Sequence, residues 1–446
     1  MKIPLSPPNG SELFSQGAEE ILKVLTSDVS VAPTGKYLHW DKLIHLPPPN
    51  GLTNKQWWFA IKHARKNSYR PLPIVGTNKK QFVYLLTDSI LEGTLGIDSR
   101  ASGRIAAPEQ VANEDSRDRF LISSLIEESI TSSQLEGAST TRQIAVEMLR
   151  ENRKPRDKSE KMILNNFIAM QKIIHLRDRP MSIDLLLELH ATLTEDTLDD
   201  PDAAGRFQLP NEERVRVVDH SNGQTLHTPP PAKDIESRIE KLIQFANDEI
   251  KQTSFIHPIV KAIILHFWLG YEHPFVDGNG RVARALFYWS AARSGYWLLE
   301  FISISRIIKQ ASLRYAKSFL YVETDDNDLT YFIIDQIVII NRALDTLERY
   351  LKRKSDQISS VTKILHGNSA LNYRQIALLS HAIRHPMHQY TIRSHQTSHR
   401  VAYGTARNDL LNLVDLGFLR QQNIDKKTYA FVAQDNIEQL LKQGGE

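Results

Sequence analysis

Apolar positions recur at helical spacing through most of residues 116–354, with polar positions between them marking solvent faces. Leu121, Ile122, Leu125, Ile126 and Ile130 form one such stripe. Others run through Met162–Ile174, Ile183–Leu193, Ile235–Ile250, Ile259–Leu269, Val282–Ala292 and Leu329–Tyr350, and each predicts a helix. One segment breaks the period. Val215 and Val217 alternate with Arg214 and Arg216, Asn222-Gly223 supplies a turn, and Thr225–Thr228 returns before Pro229-Pro230-Pro231, which predicts a hairpin inside a helical domain. The first hundred residues are instead punctuated by Pro and Gly at Pro4–Pro8, Pro47–Gly51 and Pro71–Gly76. Between these, Thr53 predicts the cap of a helix through Trp57, Trp58 and Ile61, whose tryptophans read as a buried anchor. No internal repeat is visible.

The charged run Lys352-Arg353-Lys354-Ser355-Asp356 predicts the end of the last long helix and a junction. Beyond it, Tyr373–Ala382 predicts a helix, Thr391 the start of a short one, and Ala402–Leu416 a third with Gly417 at its C-terminal cap. Phe418–Gln421 and Thr428–Val432 predict strands around an Asp425-Lys426-Lys427 turn. Three helices followed by a hairpin is a winged-helix pattern. The expected organisation is an N-terminal region at 1–115, a helical domain at 116–354 and a winged helix-turn-helix domain at 360–446.

Composition narrows the functional classes. The chain of 446 residues is 41% hydrophobic and 24% charged, which supplies a core and excludes wholesale disorder. Its 55 Lys and Arg against 52 Asp and Glu give a net +3, so the surface as a whole is no polyanion binder, although a local basic face stays open. There are no cysteines, which excludes disulfides, thiolate catalysis and Cys-ligated metals. Met1–Ser6 shows no signal-peptide pattern, and the apolar stretch Ala262–Tyr271 is short of the ~20 residues a membrane helix needs. The expectation is a soluble, cytoplasmic protein with no membrane partner.

The segment that carries chemistry is His273-Pro274-Phe275-Val276-Asp277-Gly278-Asn279-Gly280-Arg281-Val282-Ala283-Arg284. Gly278 and Gly280 flank Asn279, so the backbone can aim successive N–H groups into an anion site, and the next helix begins there with its positive dipole end. Arg281 and Arg284 in that first turn oppose the dipole, a conflict that a bound polyphosphate would offset. Asp277 offers a hard oxygen for Mg²⁺ and His273 a general base. Gly278–Ala283 also fits the loose G-x-G-x-x-A dinucleotide fingerprint, but a helix precedes it and no βαβ unit follows. A plain interhelical turn would explain the glycines but not His, Asp, Asn and two Arg on one loop.

At every specified position the segment resembles the Fic family signature, H-P-F-x-[D/E]-G-N-G-R-x-x-R. The resemblance extends over Ser116–Lys354, since Gly205-Arg206-Phe207 and the Arg214–Thr228 hairpin are similar to family features, the hairpin to its target-registering flap. It implies a mainly α fold, a helical Fic core with a small hairpin flap, and transfer of AMP from Mg·ATP to a Ser, Thr or Tyr hydroxyl of a target protein with release of pyrophosphate. Carried over by motif position, His273 would take the hydroxyl proton and Asp277 would hold Mg²⁺. Gly278, Asn279 and Gly280 would cradle phosphates, with Arg281 and Arg284 on the β- and γ-phosphates. For the adenine pocket only Tyr315 offers itself.

Ser132-Ser133-Gln134-Leu135-Glu136-Gly137 resembles the family's inhibitory pattern [S/T]-x-x-x-E-[G/N]. Ser132 and Glu136 lie one turn apart on a helix face and Gly137 can end the helix. Taken alone, Glu136 reads as a solvated carboxylate. The resemblance implies instead that it sits against Arg284 and restrains the enzyme from within the same chain.

Leu371–Phe431 holds eight Lys or Arg, three Asp or Glu and five His. His399, Arg400, Tyr403, Arg407 and Asn408 could face outward to read DNA, or the domain could dimerise or dock targets. His395 and His399 have metal-pair spacing but no further ligand, and read as an exposed helix face. The leading expectation is an autoinhibited protein adenylyltransferase using ATP and Mg²⁺. A DNA-binding regulator with a nucleotide-sensing core, and an enzyme that removes AMP, stay open, as do a homodimer and DNA as partners.

Overall fold

The computed structural model describes residues 1–9, 11, 17–49, 51–101, 114–150, 153–219, 221–251, 254–367, 371–384, 388–423, 429–434 and 440. It is mainly helical. Met1–Ala106 and Leu121–Asp345 form one compact unit, and Ala107–Phe120 with Thr346–Glu446 a second.

In the first unit, helix α1 (Asn54–Lys66) starts at Thr53 in a full capping box with Gln56, and it buries Trp57 and Trp58 as expected. Strands β1 (Arg70–Val75) and β2 (Gln81–Tyr84) follow as an antiparallel hairpin, with Arg70 opposite Tyr84. The sequence reading took Pro71–Gly76 for loop. Pro71 and Pro73 lie on β1, which pairs on one side only, so they fit where no ladder N–H is needed, while Leu72, Ile74, Phe82 and Tyr84 alternate into the core. Val83 then bonds to Asn327 and Leu329, and the buried Arg65 donates to Tyr331, Val31 and Leu38, which ties this region into the helical core.

The core is built on α2 (Glu114–Leu135), α3 (Lys158–His175), α4 (Ile183–Thr194), α5 (Pro258–Glu272) and α6 (Asn279–Arg293). Helix α5 is buried on nearly all sides, from Ile259 to Leu269, and α6 packs against it and against α3 and α4. The hairpin predicted between α4 and α5 is present as β3 (Val217–Asp219) and β4 (Gln224–His227), turning at Asn222-Gly223. Helix α2 is fixed from below by a buried carboxylate. Glu128 accepts from Ser303 Oγ at 2.8 Å, from Ser305 N–H at 3.1 Å and from Ser305 Oγ, at the start of α7 (Ile304–Gln310).

The last long helix, α8, runs from Thr330 to Gly367, so the charged run at Lys352–Asp356 does not end it. Lys, Arg, Asp and Ser do not break helices, and no Gly or Pro intervenes before Gly367. The division between the compact units falls inside α8, at Asp345–Thr346. In the second unit, α9 (Tyr373–Arg384), α10 (Ile392–His399) and α11 (Tyr403–Asp415) precede the antiparallel pair β5 (Leu419–Asn423) and β6 (Tyr429–Ala433), the element order expected from the sequence. The Asp425-Lys426-Lys427 turn lies outside the described residues. Among the described residues no helix is long and apolar enough to cross a membrane.

Glu128→Ala would remove three hydrogen bonds at the start of α7 and leave the Ser305 N–H and hydroxyl without their acceptor. The expected loss is roughly 2–4 kcal/mol of stability, read as a lowered urea midpoint, and an unchanged midpoint would show that the carboxylate does not anchor α2.

Candidate active site

The site forms where α5 stops and α6 begins. His273 closes α5 in the left-handed region, at φ 48° and ψ 52°, a conformation that costs an L-residue about 1–2 kcal/mol. It is held there by the flap. Arg214, just before β3, donates from Nη1 to the His273 carbonyl at 3.0 Å and from Nη2 to the Glu272 carbonyl at 2.6 Å. Its Nε reaches the Pro230 carbonyl at 2.8 Å. At the end of β4, the His227 ring lies between the Glu323 carboxylate at 2.8 Å and the Tyr271 carbonyl at 2.7 Å. The last three carbonyls of the helix and its cap are thus bonded to residues at the two ends of the flap, which also offsets the negative end of the α5 dipole.

His273 is half-buried, and burial pushes its pKa down to about 4. Its Nδ1 faces the Gly270 carbonyl at 3.3 Å, which selects the Nδ1–H tautomer and leaves the Nε2 lone pair able to accept a proton.

The loop after it is locked from inside. The Asn279 side chain accepts from Phe275 N–H and donates to the Phe275 carbonyl, both at 2.9 Å, so it offers the site its backbone N–H rather than its amide group. His190 of α4 stacks on Phe275 at 3.8 Å between ring centroids. Its Nδ1 accepts from Gly205 N–H at 3.0 Å, which leaves Nε2–H to donate to the Asp277 carbonyl at 2.9 Å. Burial holds this ring neutral, with a pKa near 4.

Gly278 adopts φ 81°, and a Cβ there would lie 2.9 Å from Thr194 Cγ2. No side chain caps α6, so the N–H groups of Asn279, Gly280 and Arg281 have no intrahelical acceptor. Arg281 is wholly buried: Nη1 donates to the Leu193 carbonyl at 2.7 Å, while Nε and Nη2 have no hydrogen-bond partner. Burial lowers its pKa, so an anion would be favoured beside it. Free amides at a helix start with orphaned guanidinium nitrogens are a donor set for phosphate oxygens.

Asp277 is half-exposed, accepts from Gly278 N–H at 2.6 Å and lies 3.7 Å from Arg281 Nη2. Its outward lone pairs fit Mg²⁺, which is held by one or two carboxylates together with substrate phosphates rather than by a protein cage.

The predicted inhibitory segment meets this site. Arg284, 2% exposed, donates from Nε to Ser132 Oγ at 2.9 Å, and from Nη2 to the Ser132 carbonyl at 3.1 Å and to Glu136 Oε1 at 2.8 Å. Burial alone would raise the Glu136 carboxyl, but Arg284 and, behind it, Arg281 hold it below the usual carboxylate range. Gly137 ends α2 at φ 96°. A Cβ on Gly280 would fall 2.2 Å from Glu136 Oε1, so the carboxylate lies directly against the start of α6. Tyr315 is taken by a 3.0 Å contact with His266 Nε2.

Residues 180–291 match the Fic/DOC family. This segment is a Fic domain. Ser132–Gly137 lies outside that match. The chain is 34% identical over 116 residues to protein adenylyltransferase fic-1 of Caenorhabditis elegans, covering 26% of this chain and 20% of that protein. It is 32% identical over 122 residues to protein adenylyltransferase Fic of Nematostella vectensis, covering 27% of this chain and 25% of that protein. The chain therefore spans between a fifth and a quarter of the length of these two relatives. A Fic family protein from Desulfovibrio desulfuricans shares the fold, at TM-score 0.51 and 16% identity over 79% of this chain and 98% of that one.

Arg214, His190 and His227 carry no sequence signal of their own. Arg214 reads as the polar half of a strand alternation, and His190 sits among leucines. Arg214→Ala should leave the Glu272 and His273 carbonyls without their donor. Amide exchange across Val217–His227 is then expected to quicken roughly tenfold or more, and unchanged protection would show that the flap is held by other contacts.

Proposed function

We propose that the chain is an autoinhibited protein adenylyltransferase, moving AMP from Mg·ATP to a Ser, Thr or Tyr hydroxyl of a target protein and of itself. The observation that carries this reading is the Glu136–Arg284 pair at 2.8 Å, set at the start of the Fic domain's phosphate-facing helix. The relatives named adenylyltransferases support the reaction class.

In this reading His273 Nε2 accepts the hydroxyl proton as the oxygen attacks the α-phosphorus. The new P–O bond forms as the bond to the β-phosphate oxygen breaks, and pyrophosphate leaves. The free amides of Asn279 and Gly280 and the buried Arg281 would orient the triphosphate and stabilise charge building on it, which is most of what such transfers require. Asp277 would hold Mg²⁺, which supplies further neutralisation of the phosphates. Strand β3 or β4 would align an extended target segment through backbone hydrogen bonds, and the Arg214 and His227 contacts tie that alignment to the base.

Glu136 and a γ-phosphate would compete for one guanidinium. While the carboxylate holds Arg284, the triphosphate binds poorly or with its α-phosphate displaced, and in-line attack tolerates little displacement. Glu136→Gly is expected to raise label transfer from α-labelled ATP roughly tenfold or more. Adding His273→Ala should abolish the gain while leaving ATP binding largely intact. A folded Glu136→Gly variant no faster than wild type would sink the inhibitory role, and activity in the double variant would sink the catalytic one.

The pH profile gives a separate check. Because burial lowers the His273 pKa to about 4, the ring is already the unprotonated base at neutral pH. The acid limb of kcat/KM in the Glu136→Gly variant should therefore fall near or below pH 4, with a plateau toward neutrality, because loss of Glu136 removes a group that raises this pKa. A limb centred above pH 6 would assign proton transfer to another group.

A further inference from the structure

The second unit carries a surface that nucleotide transfer does not use. Helices α10 and α11 are joined by the short turn Arg400-Val401-Ala402, in which Arg400 takes φ 51°. One side of α11 is core, where Leu410 and Leu413 pack with Leu378, Leu379 and Phe431.

The same inner side holds a carboxylate that is fully engaged. Asp409, 5% exposed, accepts from Arg374 at 2.6 and 3.0 Å, from Asn372 at 2.8 Å and from His395 Nε2 at 3.2 Å. His395 is thus buried, at 4% exposure, and not on the exposed face expected from the sequence, because it is a partner for this carboxylate.

The outer side of α11 is different. Tyr403, Gly404, Arg407 and Asn408 are exposed and recur at helical spacing, with Arg393 and Arg400 exposed nearby on α10 and the turn. Among the described residues, Arg393, Arg400, Arg407 and Asn408 have no side-chain hydrogen bond or ion pair. In residues 371–384 and 388–423 the acids are the engaged Asp409 and Asp415, at the far end of α11. Among these described residues the face is therefore cationic, with no carboxylate paired to it.

Gly404 adds a separate observation. A Cβ there would meet nothing within 4 Å, so no internal contact calls for glycine in this first helical turn. An absent side chain at an exposed helix start suits close approach of another molecule's backbone.

We propose that this face enters the major groove of duplex DNA, with Arg407 and Asn408 on base edges and Arg393 and Arg400 on phosphates. Arg and Asn are the side chains whose paired hydrogen bonds distinguish guanine and adenine in that groove. The geometry of a second helix presented across a tight turn suits its width. A protein interface would want an apolar centre, and here Tyr403 stands among charges. Duplex RNA closes its major groove to a helix.

The test is fluorescence anisotropy of the full chain with a labelled random-sequence DNA duplex of about two helical turns, at several salt concentrations. Binding should weaken as salt rises. Arg393→Glu with Arg400→Glu should weaken it roughly tenfold or more for every sequence, and reduce the salt slope by about two. Asn408→Ala should flatten the base preference of sequences selected by the wild type while preserving the slope. Gly404→Ala should raise the melting temperature of this unit while weakening binding, a split that a structural role would not give. No binding at low salt, equal binding by the folded charge-reversal variant, or stronger binding of duplex RNA would each overturn the proposal. So would a charge reversal that altered self-association and left DNA binding unchanged.

Discussion

The guanidinium of Arg284 has almost no water around it, and what surrounds it decides the state of the site. A buried cation stripped of its partner costs roughly 3–5 kcal/mol, so the position must be filled by negative charge. In this structure Glu136 and two oxygens of Ser132 fill it, which fixes the end of α2 against the first turn of α6. The sequence sets two arginines at a helix start, where the dipole disfavours them. The structure divides that conflict: Arg284 is satisfied from α2, whereas Arg281 keeps two nitrogens without hydrogen-bond partners. In the proposed mechanism that difference is the switch, because a triphosphate would satisfy Arg281 at no cost to the fold but must displace Glu136 to reach Arg284.

A second constraint acts on His273. The left-handed turn at His273 is strained, and the carbonyls exposed by stopping α5 need donors. Arg214 and His227 supply both needs from the two ends of one hairpin. The hairpin and His273 therefore share a hydrogen-bonded frame, so in the proposed mechanism a segment aligned on the hairpin would be registered to the imidazole. His190 does the same for the other end of the loop by holding the Asp277 carbonyl and stacking on Phe275. The loop thus has little freedom left to lose when phosphates arrive, which favours a pre-organised site.

Much of this was legible in the chain. Helical periodicity gave the core helices, because a helix buried against others must keep its apolar spacing, and β-alternation with Asn-Gly gave the flap. The loop from His273 to Arg284 was readable because its chemistry is local: a histidine, a carboxylate, glycines and arginines lie within twelve consecutive residues. The pairing of Glu136 with Arg284 was available only through family resemblance, since alone that carboxylate looks solvated. The hairpin β1–β2, hidden by its prolines, was not legible, because edge exposure depends on neighbours distant in sequence; the end of α8 was misplaced because a run of charges marks an exposed face and does not stop a helix.

What the sequence determined by itself was the set of core helices marked by an apolar period and the local chemistry of one loop, since both follow from periods and spacings of a few residues. Tertiary structure alone decided which groups are desolvated. It buried His395 on Asp409, left Arg281 partly unpaired, set Arg214 on two carbonyls nearly sixty residues away, and turned Glu136 from a surface charge into the partner of Arg284. Charge in a protein acquires its strength from burial, and burial is a property of the assembled core that no short stretch of sequence contains.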